Sequence, residues 1–190
     1  APVCSSPARA RVMPALPPSG LALFLKHPEP GRVKSRLAAA LGPDRAARLY
    51  WECALLVMAK TLRLKGADVF VFFTPAERRV ELERLVMARF GRFEGRFVPQ
   101  VPGNLGARIH AALAHLREQG YARQFALGTD SPTLPLDTLQ RGLDALETHD
   151  SVLGPTWDGS FYLIGVREPD PAVFDGVAWG SGLELIQTYG

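Results

Sequence analysis

The sequence predicts an α/β fold in which a mainly parallel sheet is covered by helices on both faces. Short apolar runs of strand length alternate along the chain with longer segments of helical spacing. The runs are continuous, which is typical of strands buried on both faces of a parallel sheet. A length of 190 residues is enough for one domain and too short for two ordinary ones. In such folds ligands bind at the carboxyl ends of the strands.

The first predicted strand covers residues 21–25. The preceding residues 1–20 contain five of the sixteen prolines and no continuous apolar stretch, so they lack the core of a secretory signal. We expect residues 1–20 to be a disordered tail and residues 21–190 to form a single domain. A basic loop, residues 26–36, follows the first strand.

The next segments continue the alternation of helices and strands. Asp44 is the predicted cap of a helix that extends as far as Gly66. Its expected apolar face consists of Leu49, Cys53, Leu56, Val57 and Leu64, with Lys60 as the polar exception. Residues 68–73 form the second predicted strand, Pro75 opens a charged helix with Val80, Leu82, Leu85 and Val86 as apolar positions, and residues 96–98 form a weaker strand.

The second half of the chain repeats the pattern. Asn104 is the predicted cap of a helix that stops at Gly120, and its apolar face is Leu105, Ile109, Ala112, Leu113 and Leu116. Residues 124–128 form the next predicted strand. A helix marked by Leu139, Leu143 and Leu146 leads to strands at residues 151–154 and 161–166.

Composition excludes several classes of protein. Lys and Arg total 22 against 19 for Asp and Glu, and this net charge of +3 is too small to indicate a nucleic-acid partner. The apolar runs are too short to cross a membrane. The only cysteines are Cys4 in the tail and Cys53 on a helix, so we expect no disulfide framework and a reducing cytoplasm as the compartment. The four histidines lack the spacing of a zinc site.

The basic loop is the first candidate for chemistry. Four cations lie between a buried strand and a helix, and they are interleaved with Pro28, Pro30 and Gly31: Lys26, Arg32, Lys34 and Arg36. Arg and Lys bind phosphate well at such a position, and the loop matches neither of the glycine-rich phosphate motifs. A solvated basic turn explains the charges alone equally well.

Asp130 is the second candidate. It follows a buried strand within Gly128-Thr-Asp-Ser-Pro-Thr-Leu-Pro135, where the prolines stop the strand and fix the loop. A carboxylate there suits Mg²⁺ or Mn²⁺, which takes its remaining ligands from water and phosphate. The alternative is that Asp130 caps the helix beginning near Leu136 or closes an Asx turn, and this segment alone favours the alternative.

Asp158 is the third candidate, in a turn between two apolar segments. Asp-Gly is a common hairpin turn, so alone it indicates a structural role. A second acid at the same sheet edge as Asp130 would provide either a further metal ligand or a general base for a metal-dependent transferase.

Four ordered motifs together resemble a known family. They are Lys26-x-Pro-x-Pro-Gly-Arg-Val-Lys-Ser-Arg-Leu37, Gly128-Thr-Asp-Ser-Pro-x-Leu-Pro135, Gly154-Pro-x-x-Asp-Gly-x-x-Tyr-Leu-Ile-Gly165 and Val177-Ala-Trp179. They resemble the DUF2064 family of bacterial GT-A-like nucleotide-diphospho-sugar transferases, some of whose members are named arsenosugar-biosynthesis glycosyltransferases. The resemblance runs from about Leu21 to the end of the chain.

This resemblance implies a GT-A-like three-layer sandwich and a set of roles. The basic loop would contact nucleotide phosphates, with help from Gln100, Gly103 and Arg108, and Asp130 would bind Mg²⁺ or Mn²⁺ together with Asp158. Trp157, Gly159 and Tyr162 would line an acceptor pocket. Asn104 and Ser160 depart from the family pattern, and relatives continue with more helix beyond Thr188, so we expect a truncated C-terminal helix.

Three functions remain open at this point. The first is glycosyl transfer from a nucleotide-diphospho-sugar to a small-molecule acceptor. The second is nucleotidyl transfer, which joins an NTP to a phosphorylated small molecule and releases pyrophosphate. The third is a non-catalytic nucleotide-binding protein. None of the three involves nucleic acid or a membrane, and none determines an oligomeric state.

Overall fold

A six-stranded sheet forms the middle layer of the structure, a computed structural model that describes residues 19–189. The strands are β1 (Ser19–Lys26), β2 (Ala67–Thr74), β3 (Arg96–Pro99), β4 (Arg123–Leu127), β5 (Ser151–Pro155) and β6 (Phe161–Val166), in the spatial order β3-β2-β1-β4-β6-β5. Strands β3, β2, β1 and β4 pair in parallel, whereas β6 is antiparallel to both β4 and β5. Five strands therefore share one direction, and the predicted mainly parallel sheet is confirmed.

Helices cover both faces of this sheet. They are α1 (Ser35–Leu41), α2 (Pro43–Thr61), α3 (Arg79–Phe90), α4 (Leu105–Glu118), α5 (Leu136–Ala145) and α6 (Glu184–Tyr189). Side chains of α2, α3 and α5 pack on one face against Leu21, Leu23 and Leu25 of β1. On the other face α4 packs against Ala22 and Phe70. This arrangement is the expected three-layer sandwich, and none of the described helices combines the length and the apolar character that crossing a membrane requires.

The boundary of the domain differs from the prediction of a tail at residues 1–20. Strand β1 begins at Ser19, which pairs with both Ala67 and Arg123. Gly20 also belongs to the core, since a Cβ atom there would lie 2.9 Å from the ring of Tyr121. Small residues carry no hydropathy signal, so the apolar run alone placed the start too late. Residues 1–18, with Cys4 among them, lie outside the described residues.

The predicted apolar face of α2 is wrong at three positions, whereas Val57 is buried as expected and Leu64 is buried beyond the end of the helix. Leu49 and Leu56 are 46% and 50% exposed, and Cys53 is only half-buried. The buried face is instead Ala46, Ala47, Tyr50, Ala54, Leu55, Val57, Met58 and Thr61. The small alanines let α2 pack closely on the sheet. Because α2 carries apolar residues on both sides, the periodicity of the sequence favoured the side that faces solvent, where the larger side chains lie.

The ends of several helices also differ from the predictions. Gly42 is the cap residue of α2, and Asp44 lies in its first turn, where a carboxylate favours the positive end of the helix dipole. The helix ends at Thr61, before Gly66. Residues 35–41 form α1 rather than loop, so Arg36 is helical. A short 3₁₀ turn, Ala76–Arg78, separates Pro75 from α3.

The other helix predictions are confirmed in part. On α3, Leu82 and Val86 are buried, but Val80 is 59% exposed. Asn104 caps α4 as expected, because its side-chain oxygen accepts a hydrogen bond of 2.9 Å from the amide of Ala107. Leu105, at the start of α4, is 47% exposed rather than part of the apolar face.

Tyr121 ties the turn before β4 to the start of β2, at the sheet edge opposite the strands' carboxyl ends. Its fully buried side chain donates a hydrogen bond of 2.6 Å from the hydroxyl to Oδ2 of Asp68. Burial, and next the hydrogen bond to Asp68, raise the pKa of Tyr121 to about 12 from its ordinary 10.0. Because this native pKa lies above the unfolded value, Tyr121 favours folding fully below pH 10 and progressively less toward pH 12.

We therefore predict that Tyr121→Phe lowers the free energy of unfolding at pH 8 by about 1.5–3 kcal/mol, the usual contribution of a hydrogen bond to a charged group. Denaturant titrations at several pH values measure this difference. It should shrink as the pH rises from 10 toward 12. Equal stability of the two proteins between pH 7 and 10 would contradict this role of the hydroxyl.

Candidate active site

A cleft of about 630 Å³ opens at the carboxyl ends of the strands. Four chain segments meet there: the loops that follow β1, β3 and β4, and the turn that joins β5 to β6. The cleft is lined by eight of the residues that the sequence singled out: Lys26, Lys34, Gln100, Gly103, Arg108, Asp130, Asp158 and Tyr162. The topology therefore brings the main candidate residues to one site.

Four predicted site residues lie elsewhere. Arg32 and Arg36 line an adjoining pocket of about 560 Å³ that shares Lys26, Lys34 and Tyr50 with the main cleft. The side chain of Trp157 is fully exposed and lines neither pocket. Gly159 has a structural role in the turn. Its φ is 81°, and a Cβ atom at this position would overlap the carbonyl oxygen of Gly182, so only glycine fits.

Asp130 forms an ion pair across the cleft. Nζ of Lys34 lies 2.9 Å from its Oδ1 atom, and the two side chains are 34% and 67% exposed. A pair exposed to this degree contributes about 0–1 kcal/mol of stability. The helix-cap alternative for Asp130 is wrong, because Pro135 occupies the cap position of α5 and no side chain caps that helix.

Lys60 holds the loop that carries Asp130. Its ammonium donates hydrogen bonds to the carbonyl oxygens of Pro132 and Leu134, the latter at 2.8 Å. The sequence marked Lys60 as a polar exception on an apolar helix, and the structure supplies the reason. A partly buried cation on α2 takes up two carbonyl groups of a loop that lies more than seventy residues away in the chain.

Tyr50 is a cleft residue that sequence reasoning missed. Its buried hydroxyl accepts a hydrogen bond of 2.8 Å from the amide of Lys26 and donates one of 3.2 Å to the carbonyl of the same residue. Burial is the main cause that raises the pKa of Tyr50, and hydrogen bonds with Lys26 and Thr129 partly oppose it. The phenol therefore stays protonated near neutral pH and fixes the end of β1, where the basic loop begins. Only its helical spacing from Ala46 and Ala54 could have indicated a buried position.

Gln100 and Arg108 stabilise the cleft-lining loop that follows β3. The Gln100 amide donates a hydrogen bond of 2.7 Å to the carbonyl of Phe72 and accepts one of 3.3 Å from Nη1 of Arg108. Nε of Arg108 donates to the carbonyl of Gly103 at 2.9 Å. Arg108 thus folds over its own loop and faces the cleft, rather than extending from the helix into solvent.

Asp158 belongs both to a turn and to the cleft. Its Oδ1 atom accepts hydrogen bonds from the Thr156 hydroxyl at 2.5 Å and from the Ser160 amide at 3.3 Å. These two bonds, with a weaker effect of the Arg36 charge, lower the pKa of Asp158. The exposed carboxylate is therefore ionised at neutral pH, which suits it to orient a hydroxyl or bind a cation better than to accept a proton.

The cleft can supply few protein ligands to a metal. Among residues 19–189, no group of three or more His, Cys, Asp and Glu side chains is placed to hold an ion. Asp130 and Asp158 are the acids in the cleft lining. This donor set fits Mg²⁺ or Mn²⁺, which needs only one or two carboxylates when phosphate oxygens complete its shell.

The fold and cleft together define the class as a GT-A-like nucleotide-diphospho-sugar transferase fold. Among solved structures, the chain is similar to a candidate nucleotide-diphospho-sugar transferase from Desulfovibrio desulfuricans G20, with 32% identity and a TM-score of 0.84 over 92% of this chain and 74% of that one. Residues 57–181 match the model of the DUF2064 family, described as "Uncharacterized protein conserved in bacteria". The chain belongs to the DUF2064 family.

More distant likenesses concern the fold alone. One is to 4-diphosphocytidyl-2C-methyl-D-erythritol synthase from Anaerococcus prevotii DSM 20548, with 8% identity over 90% of this chain and 82% of that one and a TM-score of 0.58. Another is to Rv0371c from Mycobacterium tuberculosis H37Rv, with 16% identity over 90% and 81% of the two chains and a TM-score of 0.52. A search of proteins with curated functions finds no match.

We predict that Lys60→Met loosens the loop that carries Asp130. Methionine keeps a long side chain but cannot donate to the two carbonyl groups, so amide hydrogen exchange should quicken within residues 128–136. The matched control is Lys65→Met, since Lys65 is an exposed lysine beyond the end of the same helix. Unchanged exchange in these amides of Lys60→Met would show that Lys60 does not hold the loop.

Proposed function

We propose that the protein is a metal-dependent transferase that moves a glycosyl group from a nucleotide-diphospho-sugar to a small-molecule acceptor. The observation that carries this proposal is the placement of Asp130 in one cleft with Lys26, Lys34 and Arg108. An acid beside three cations, at the ligand-binding edge of a GT-A-like sheet, suits a metal-bound diphosphate. The similarity to the Desulfovibrio protein supports the same class of substrate.

Each side chain has a part in the proposed reaction. Lys26, Lys34 and Arg108 bind the oxygens of the diphosphate, and Asp130 holds the divalent cation. When bound, that cation neutralises the charge that develops on the departing diphosphate. Such fixed charges stabilise a transition state without reorganisation during the reaction.

Asp158 acts on the acceptor side of the proposed site. Its ionised carboxylate accepts a hydrogen bond from the acceptor hydroxyl and orients that oxygen toward the anomeric carbon. A new bond then forms between this carbon and the acceptor oxygen, while the bond to the diphosphate oxygen breaks. The hydroxyl proton of the acceptor passes to solvent water, and the nucleoside diphosphate leaves with the electron pair of the broken bond. Tyr162 lines the cleft close in sequence to this turn and is the proposed wall of the acceptor pocket.

Nucleotidyl transfer is the second candidate, and the number of cations favours it. Arg32 and Arg36 line the pocket that adjoins the cleft, so five basic residues surround the site. A triphosphate would use this charge more fully. In that reaction a phosphate oxygen of the second substrate attacks the α-phosphorus of an NTP, and pyrophosphate leaves.

Product analysis separates the two candidates. The protein is incubated with Mg²⁺ or Mn²⁺ and either a panel of sugar nucleotides or a panel of NTPs with phosphorylated small molecules. Glycosyl transfer predicts release of a nucleoside diphosphate from a sugar nucleotide. Release of pyrophosphate from an NTP, with no loss of sugar from any sugar nucleotide, would overturn it. Thermal shift selects the nucleotide first, because a ligand at a hundred times its Kd stabilises the fold by about 2.7 kcal/mol.

For the selected substrate, Asp130→Asn should lower kcat/KM by about 100-fold or more. Asparagine would hold the cation poorly, and loss of one group that stabilises a transition state typically has an effect of that size. The control is Asp137→Asn, which removes a carboxylate from the first turn of α5, outside the cleft lining. Metal-dependent turnover that is equal in Asp130→Asn and Asp137→Asn would remove Asp130 from the proposed metal site.

A further inference from the structure

Lys34 occupies the position of a cation next to Asp130. Its ammonium lies 2.9 Å from Oδ1, and both side chains line the cleft. The carboxylate that the proposed function gives to a divalent metal is therefore already neutralised by a protein cation. A second positive charge at hydrogen-bond distance from Lys34 would be repelled by the ammonium, so a metal ion can approach Asp130 closely only when the ammonium moves away.

The backbone places Lys34 at this point. Its φ and ψ of 48° and 50° lie in the left-handed region, which residues other than glycine rarely adopt, and it is the cap residue of α1. Its carbonyl accepts a hydrogen bond of 2.8 Å from the amide of Ala38, so the position is part of the helix start. A strained conformation persists only where the surrounding structure determines it.

The Lys34 ammonium has an alternative position in the adjoining pocket. Lys34 lines both the main cleft and the adjoining pocket, where Lys26, Arg32 and Arg36 form a basic surface. An anion bound at this surface would attract the Lys34 ammonium away from Asp130. Both partners of the ion pair are partly exposed, so solvent screens their attraction and the exchange is easy.

The acids in the cleft do not complete a metal site by themselves. Asp130 and Asp158 provide two carboxylates, and the part of the chain that the structure describes contains no cluster of three ligands. A divalent ion therefore needs phosphate oxygens in addition. Those same oxygens would bind the displaced Lys34.

We infer that Lys34 is an exchange residue that makes metal binding depend on the nucleotide. It neutralises Asp130 in the free protein and passes to a phosphate when metal and nucleotide enter together. This inference rests on the proposed function. It implies that the free protein binds Mg²⁺ or Mn²⁺ weakly and that metal and nucleotide strengthen each other's binding by the same factor, as linkage requires.

Mn²⁺ binding, followed by the loss of the free-ion electron paramagnetic resonance signal, tests this role without any measurement of activity. Lys34→Met should bind Mn²⁺ alone about three- to fivefold more tightly than the wild type, because the competing ammonium is gone and an exposed ion pair is weak. In the presence of saturating GDP or UDP this advantage should disappear, because the nucleotide then holds the wild-type ammonium away from Asp130. The factor by which the nucleotide strengthens Mn²⁺ binding should therefore fall.

Two further variants make the experiment specific. Lys26→Met removes a positive charge from the same cleft, but Lys26 forms no ion pair with Asp130, so Mn²⁺ alone should bind it as it binds the wild type. Lys34→Gly suits the left-handed backbone and should behave like Lys34→Met even if methionine disturbs α1.

Equal affinity of the wild type, Lys34→Met and Lys34→Gly for Mn²⁺ alone would overturn the inference. A gain in Mn²⁺ affinity in Lys26→Met as large as that in Lys34→Met would also overturn it. Failure of the proposed function has a different signature. In that case no nucleotide binds, or nucleotide binding is unaffected by Mn²⁺ and by Asp130→Asn, whereas the Mn²⁺ titration without nucleotide still tests the exchange role.

Discussion

The parallel pairing of β1 with β4 is the constraint on which the site depends. These strands are neighbours in the sheet although about a hundred residues separate them in the chain, and their register places Leu23 opposite Leu127. Parallel neighbours end at the same edge, so the basic loop and the Asp130 loop emerge side by side. The ion pair between Lys34 and Asp130 follows from this adjacency. Because β6 runs against β4, the turn from β5 into β6 returns Asp158 to the same edge.

Buried polar side chains hold the loops at that edge. Tyr50 takes both backbone groups of Lys26, Lys60 takes two carbonyl groups of the Asp130 loop, and Gln100 bonds to the carbonyl of Phe72. These partners belong to α2 and to the segment after β3, and Tyr50 and Gln100 also line the cleft. Their bonds are partly buried, whereas Asp130 in the cleft is exposed and weakly paired. The scaffold is therefore rigid where the loops are anchored and free to exchange partners where a ligand would bind.

Much of this arrangement was predictable from local sequence. All six strands were predicted, four of them from continuous apolar runs and β3 and β5 from shorter segments, and Asn104 was recognised as a helix cap because its spacing is a local signal. Asp130 was placed at a strand end for the same reason. Motif order then indicated the family, and the structure brought eight of the named residues into one cleft.

The errors concern contacts between distant segments. The inner face of α2 could not be chosen by periodicity because both sides carry apolar residues, so Tyr50 went unnoticed and Lys60 had no explanation. Arg32 and Arg36 were expected in the same site as Asp130, but they line the adjoining pocket, which they share with Lys26 and Lys34. A helix only seven residues long gives a weak periodic signal, and the sequence did not reveal it.

A crystal structure with Mn²⁺ and the nucleoside diphosphate selected by thermal shift tests the central claim most directly. The metal-dependent site predicts an anomalous peak at bonding distance, about 2.0–2.3 Å, from a carboxylate oxygen of Asp130 and from phosphate oxygens. The Lys34 ammonium should then contact a phosphate instead of Asp130. A nucleotide bound in the cleft with no metal at Asp130, and with the Lys34 ion pair unbroken, would contradict the claim.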